Sequence, residues 1–260
     1  MATDTMKTRF VNTMLLVWLC TLFSSPTSIA AIDEQSEFRQ LEQQFQQAKT
    51  KAQFIAVATG YDALKTTDSV SVSIVFNQAN AWLKAEELGR AIAGYRQALR
   101  LAPRDESIRR NLNLAIQKAG HQSQQPTIMD YAFFWKNRLT ISSLAMLITV
   151  VIIAAGALFV LNHRSRFSVS VFRLLVAGSL TLVVSFLVKI NEEEHTLHGS
   201  VVADSTDAKK GPAASYESAF SKPLTDGLEF CVVNQQQDWI EVDVSGIGLG
   251  WIPKTDAVVY

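Results

Sequence analysis

Two apolar runs, Leu139 to Leu161 and Ser168 to Lys189, lie in close succession within a 260-residue chain. The first is about 23 residues without a charge, and at 1.5 Å per residue a helix of that length covers roughly 34 Å, enough to cross a bilayer. The pattern predicts transmembrane helices over 139–161 and 168–190, joined by a turn at 162–167 so short that the pair must form an antiparallel hairpin. Arg164 and Arg166 sit in that turn, and Arg173 lies about one helical turn inside the second run. Positive residues in short loops favour the cytoplasmic side, so the tip is expected inside the cell and the flanking modules outside. Arg173 is expected to anchor the hairpin by reaching its long stem to the headgroups. Lys136 and Arg138 oppose this orientation, while Tyr131, Phe133, Phe134 and Trp135 form the aromatic belt of an interface.

Residues 1–30 carry the features of an export signal. Lys7 and Arg9 precede an apolar core from Val11 to Phe23, and small residues ending in Ser28-Ile29-Ala30 follow. The expectation is cleavage near Ala30; the alternative is a retained third membrane helix. Removal would take Cys20 away and leave Cys231 as a single thiol with no disulfide partner. With 24 basic and 24 acidic residues the chain has no net field, which argues against a nucleic-acid partner.

Between these segments, residues 33–120 read as helical. Phe38, Leu41, Phe45, Ala48, Ala52 and Ile55 follow one another at steps of three and four, one stripe of a helix. Val75, Ala79 and Trp82 define a second helix, and Ala91, Tyr95, Ala98 and Leu101 a third, with the turn at Glu86 to Gly89. Val57, Tyr61 and Leu64 stand 34 positions before Ala91, Tyr95 and Ala98, and Leu112 and Ile116 stand 34 after Gln78 and Trp82. Small residues at Ala79, Ala91 and Ala98 permit close helix approach, and Pro103 ends the unit. This segment resembles the tetratricopeptide family, best over 72–105, with Gln78 where the family has leucine; that departure predicts looser packing toward the preceding helix. The flanking copies are degenerate and expected to act as caps. His121 opens a polar linker, 121–138.

From 196 to 260 the pattern changes to short strands, expected at Gly199–Ala203, Glu217–Ser221, Glu229–Val233, Asp238–Val244 and Gly250–Ile252. Asp226-Gly227-Leu228-Glu229-Phe230-Cys231-Val232-Val233, Asp238-Trp239-Ile240-Glu241-Val242 and Gly250-Trp251-Ile252 resemble the strands of bacterial SH3-like domains, which implies a small five-stranded barrel. Cys231 reads as a buried small hydrophobe, and His195 and His198 as solvated linker residues.

The expected fold is therefore multi-domain α and β: an α-helical tetratricopeptide-type repeat, a two-helix transmembrane hairpin and a C-terminal SH3-like barrel. This order resembles the BatE family of the bacterial aerotolerance operon. The resemblance implies a multi-pass protein of the bacterial cytoplasmic (inner) membrane, with both large domains outside. The implied partners are the von Willebrand A-type Bat proteins and, through them, a MoxR-type AAA ATPase. Trp82, Tyr95, Arg96, Trp239 and Trp251 are the candidate protein-binding residues. The expected function is a membrane-anchored interaction scaffold; the alternative is peptidoglycan binding or sensing through the SH3-like domain. No nucleophile–base pair, metal set or cofactor motif is visible in either module, so no enzyme is expected.

Overall fold

The computed structural model of the protein describes residues 29–65, 70–121, 139–162, 169–195 and 197–260. The chain divides into two compact units, 1–40 and 41–260. Of the first, the described part is the opening of helix α1, Ile29–Gln47. All other elements belong to the second unit. The export signal expected at 1–30 falls almost entirely outside the described residues, as do positions 122–138 of the linker.

Four further helices follow: α2 Lys51–Ala63, α3 Val72–Lys84, α4 Leu88–Leu101 and α5 Glu106–Lys118. Their starts are specified locally. Thr50 and Gln53 close a capping box at α2, and the Asp105 carboxylate accepts the Ser107 and Ile108 amides at α5. Between α3 and α4 the chain turns at Glu86, whose φ of 61° lies in the left-handed region, while the Glu87 amide returns to the Trp82 carbonyl. Helix α5 begins and ends 34 positions after α3. Val75, Ala79, Ala91, Ile92, Tyr95, Ala98, Leu112 and Ile116 form a closed core. The small residues permit this approach: a Cβ on Gly94 would stand 2.9 Å from that of Ala79.

Gln78 does not loosen the packing. It is 4% exposed, and its Nε2 donates to the Ala58 carbonyl at 2.9 Å and to Asp62 Oδ1 at 2.7 Å, tying α3 to α2. Gln78→Leu, the change toward the family residue, would remove both bonds that tie α3 to α2. We expect a loss of about 1–3 kcal/mol in urea-unfolding stability; a gain would show that packing outweighs the tie.

The C-terminal residues form an antiparallel sheet in the order β6-β5-β4-β1-β7 and a separate two-stranded ribbon, β2 with β3. The strands are β1 His198–Val201, β2 Ser205–Thr206, β3 Leu224–Thr225, β4 Glu229–Gln236, β5 Trp239–Val244, β6 Gly248–Pro253 and β7 Ala257–Val259. Val201, Leu224, Phe230, Ile240, Val242, Val244 and Ile252 make its core. Two expectations are corrected here. The sheet is not closed into a barrel: the 3₁₀ turn Lys254–Asp256 carries the chain away from β6, β7 pairs with β1, and the outer edge of β6 is bridged by Lys209 through its backbone bonds with Trp251. The strand expected at 217–221 is a loop held by one bridge between Lys209 and Ser218, and the strands at 205–206, 224–225 and 257–259 were not anticipated.

The central apolar runs also need correction. They form helices α6 Ile141–Asn162 and α7 Val169–His195, packed side by side, with Lys189 Nζ donating to the Leu139 carbonyl at 2.5 Å. Among the described residues no helix is long and apolar enough to cross a membrane. The transmembrane helices expected at 139–161 and 168–190 and the multi-pass inner-membrane placement are therefore overturned, and positions 163–167 of the expected cytoplasmic turn lie outside the described residues. Arg164 and Arg166 lie outside the described residues; Arg173 lies on α7.

Candidate functional site

Helix α4 lies against the β1–β7 edge of the sheet, and the two meet backbone to backbone. Gly89, in the first turn of α4, has its amide on Asp226 Oδ1 at 2.9 Å, and its carbonyl accepts from Ser200 Oγ at 2.7 Å. A Cβ there would stand 1.9 Å from the Val201 carbonyl oxygen. The other Asp226 oxygen takes the Leu88 amide at 2.9 Å, so one carboxylate fills the anion-seeking N-terminus of the helix. Gly227 gives the segment its turn, with φ of 81°, and its amide bonds the Val201 carbonyl. His121 Nε2 lies 3.2 Å from the Asp226 carbonyl.

Two turns along α4, the Arg96 guanidinium grips Glu229 in a fork, Nε to Oε1 at 2.7 Å and Nη2 to Oε2 at 2.9 Å. Tyr260 donates its hydroxyl to Glu229 Oε1 at 2.8 Å, while its backbone pairs with His198. Arg100 completes the cluster: it donates to the Tyr260 backbone oxygen and stands over the ring at 5.7 Å from the centroid.

Burial and charge oppose one another at these groups. Burial alone would raise the Glu229 carboxyl, but the Arg96 guanidinium outweighs it and holds the group below its ordinary 4.5. Burial alone would lower Arg96; the bonds and charge of Glu229 outweigh that and raise it. Asp226 goes the other way: burial raises it, with the Gly89 and Leu88 amides opposing.

Of the candidate residues, Arg96 is the one at this junction. Tyr95, on the same helix, is fully buried, its hydroxyl 2.7 Å from Asn80 Oδ1 and its ring 6.0 Å from Phe76. Trp82 packs partly buried on the repeat core with the Arg90 guanidinium 5.2 Å from its ring centroid. Trp251 is buried on β6 opposite Glu241, and Trp239 is half-buried on β5 opposite Pro253, so the two indoles are diagonal neighbours on the sheet face away from Ile240 and Ile252. The structure does not bring them to Arg96. Sequence reading missed Gly89, Ser200, Asp226, Glu229 and Tyr260; the one local signal was the Asp226-Gly227 turn.

Cys231 Sγ lies 3.4 Å from His198 Nδ1, within reach for a nucleophile and base. Burial, then Asp243 and Glu229, push the thiol up, which favours the unreactive protonated form. Among the described residues there is no group of three or more His, Cys, Asp or Glu side chains that could hold a metal ion. Compared with protein-family models, curated proteins and solved structures, the chain has no match.

Proposed function

We propose that the protein is an interaction scaffold, in which the helical repeat and the sheet module act as one docked body that presents a surface to partner proteins. One observation carries the reading: the sheet packs against α4, while α3 and α5 carry a recurring polar pair. Asn77 and Lys84 on α3 recur 34 positions later as Asn111 and Lys118 on α5, and each pair is spaced seven residues apart, on one side of its helix. Both lysines are exposed. Asn77 Nδ2 already donates to the Glu42 carboxylate at 3.2 Å, and Asn111 Nδ2 to Asn80 Oδ1 at 2.8 Å. Amide donors flanked by ammonium groups suit an extended partner segment with exposed carbonyls and acidic side chains.

The resemblance to the BatE family makes von Willebrand A-type Bat proteins the partners to test first, with a MoxR-type ATPase reached through them. In a binding assay with the full chain, Asn77→Ala with Asn111→Ala is expected to weaken retention of such a protein about tenfold, the worth of two neutral hydrogen bonds. Unchanged retention would move the binding surface elsewhere. Retention on purified peptidoglycan, with no protein partner, would replace this reading with the wall-binding one.

A further inference from the structure

The junction between α4 and the sheet joins two separate hydrophobic cores. The repeat core and the sheet core share no residue. The hydrogen bonds across the junction are Asp226 on the Leu88 and Gly89 amides, Glu229 on Arg96, Ser200 on the Gly89 carbonyl and Arg100 on Tyr260, beside the apolar approach of Gly227 to Ala119 and Ile92. Interfaces of this polar kind open and close more readily than apolar ones. The occupant also shows what chemistry α4 accepts. Seven residues of helix, from Gly89 to Arg96, rise about 10 Å. Carboxylates three residues apart reach across that distance when the chain between them is open, as extended chain covers about 3.3 Å per residue.

We propose that Asp226-Gly227-Leu228-Glu229 is an internal ligand of helix α4, holding shut a surface that takes a protein segment bearing two carboxylates at that spacing. The first carboxylate caps the helix N-terminus; the second is held in the Arg96 fork. Only when the sheet module lifts away does α4 become available, so an acidic partner segment competes with the chain's own. This surface is separate from the α3–α5 face, and its test does not depend on that face binding anything.

Amide hydrogen exchange on the full chain reads the junction directly, because the Leu88 and Gly89 amides are bonded to Asp226. In Glu229→Gln we expect those two amides to exchange about tenfold faster, the loss of one charged hydrogen-bonding partner, while core amides at Ala79 and Val242 stay within about twofold. A synthetic peptide of residues 222–230 should restore protection at Leu88 and Gly89 in Glu229→Gln. The same peptide with both acids replaced by amides should not. Arg96→Met, which acts from the helix side, should open the junction equally and fail to respond to either peptide. Core amides rising in step with the junction would show one cooperative unit and overturn the proposal. So would unchanged exchange at Leu88 and Gly89, or equal restoration by the two peptides.

Discussion

Gly89→Ala should unseat the sheet module, at a cost of about 3–5 kcal/mol, in a helix that the same change ought to favour. At an ordinary helical position alanine is worth about 1 kcal/mol over glycine, so the sign of the effect separates the two environments. The added methyl would stand 1.9 Å from the Val201 carbonyl oxygen, which is backbone and cannot swing aside. Either α4 or β1 must retreat, and retreat breaks the two amide bonds to Asp226 and the Ser200 bond. Overpacking of this kind costs about 1–3 kcal/mol, and the charge-assisted bonds add about 1.5–3. The check is a urea titration with circular dichroism: reduced stability with full helix content at zero denaturant. A variant as stable as the parent would mean that helix and strand do not touch at Gly89.

The second large effect is expected at Tyr95→Ala, about 3–5 kcal/mol in the same titration. Tyr95 is 0% exposed between α3 and α4, so truncation leaves a cavity next to Phe76 that neighbouring helices cannot fill without moving. Tyr95→Phe is the control. It removes only the hydroxyl, and because Asn80 Oδ1 keeps its bond from Asn111, the loss should stay near 0.5–1.5 kcal/mol. Equal losses in the two variants would mean that the hydroxyl, not the ring, holds the helices together. On this account Tyr95 is a core residue whose substitution would disturb any binding surface only through unfolding.

The repeat was legible because its instructions are local. Apolar steps of three and four and small residues at Ala79, Ala91 and Ala98 act within one or two turns of the chain; the Thr50 cap, which divides the 38–55 stripe between α1 and α2, was not read. The strands at 229–236, 239–244 and 248–253 were legible for a similar reason, alternation between turns. What failed was long-range. Arg96 and Glu229 are separated by 133 positions, and nothing near either announces the other. The 217–221 segment has the apolar spacing of a strand but finds one bridge instead of a ladder, made by the Lys210 amide on the Glu217 carbonyl and the Ala219 amide on the Ala208 carbonyl. Gln78 reads as a defect in an apolar row until the Ala58 carbonyl is seen opposite it. Likewise, uncharged length in 139–189 was a composition signal, and among the described residues no helix is both long and apolar enough to cross a membrane.

Gly227 carries a consequence for how freely this protein can vary. A methyl there would fall 2.6 Å from Ala119 Cβ, and its φ of 81° disfavours any larger residue besides. With Gly89 facing the same Val201 carbonyl from the other side, the partnership is written in two missing side chains. A single added carbon at either point would push α4 and the sheet apart.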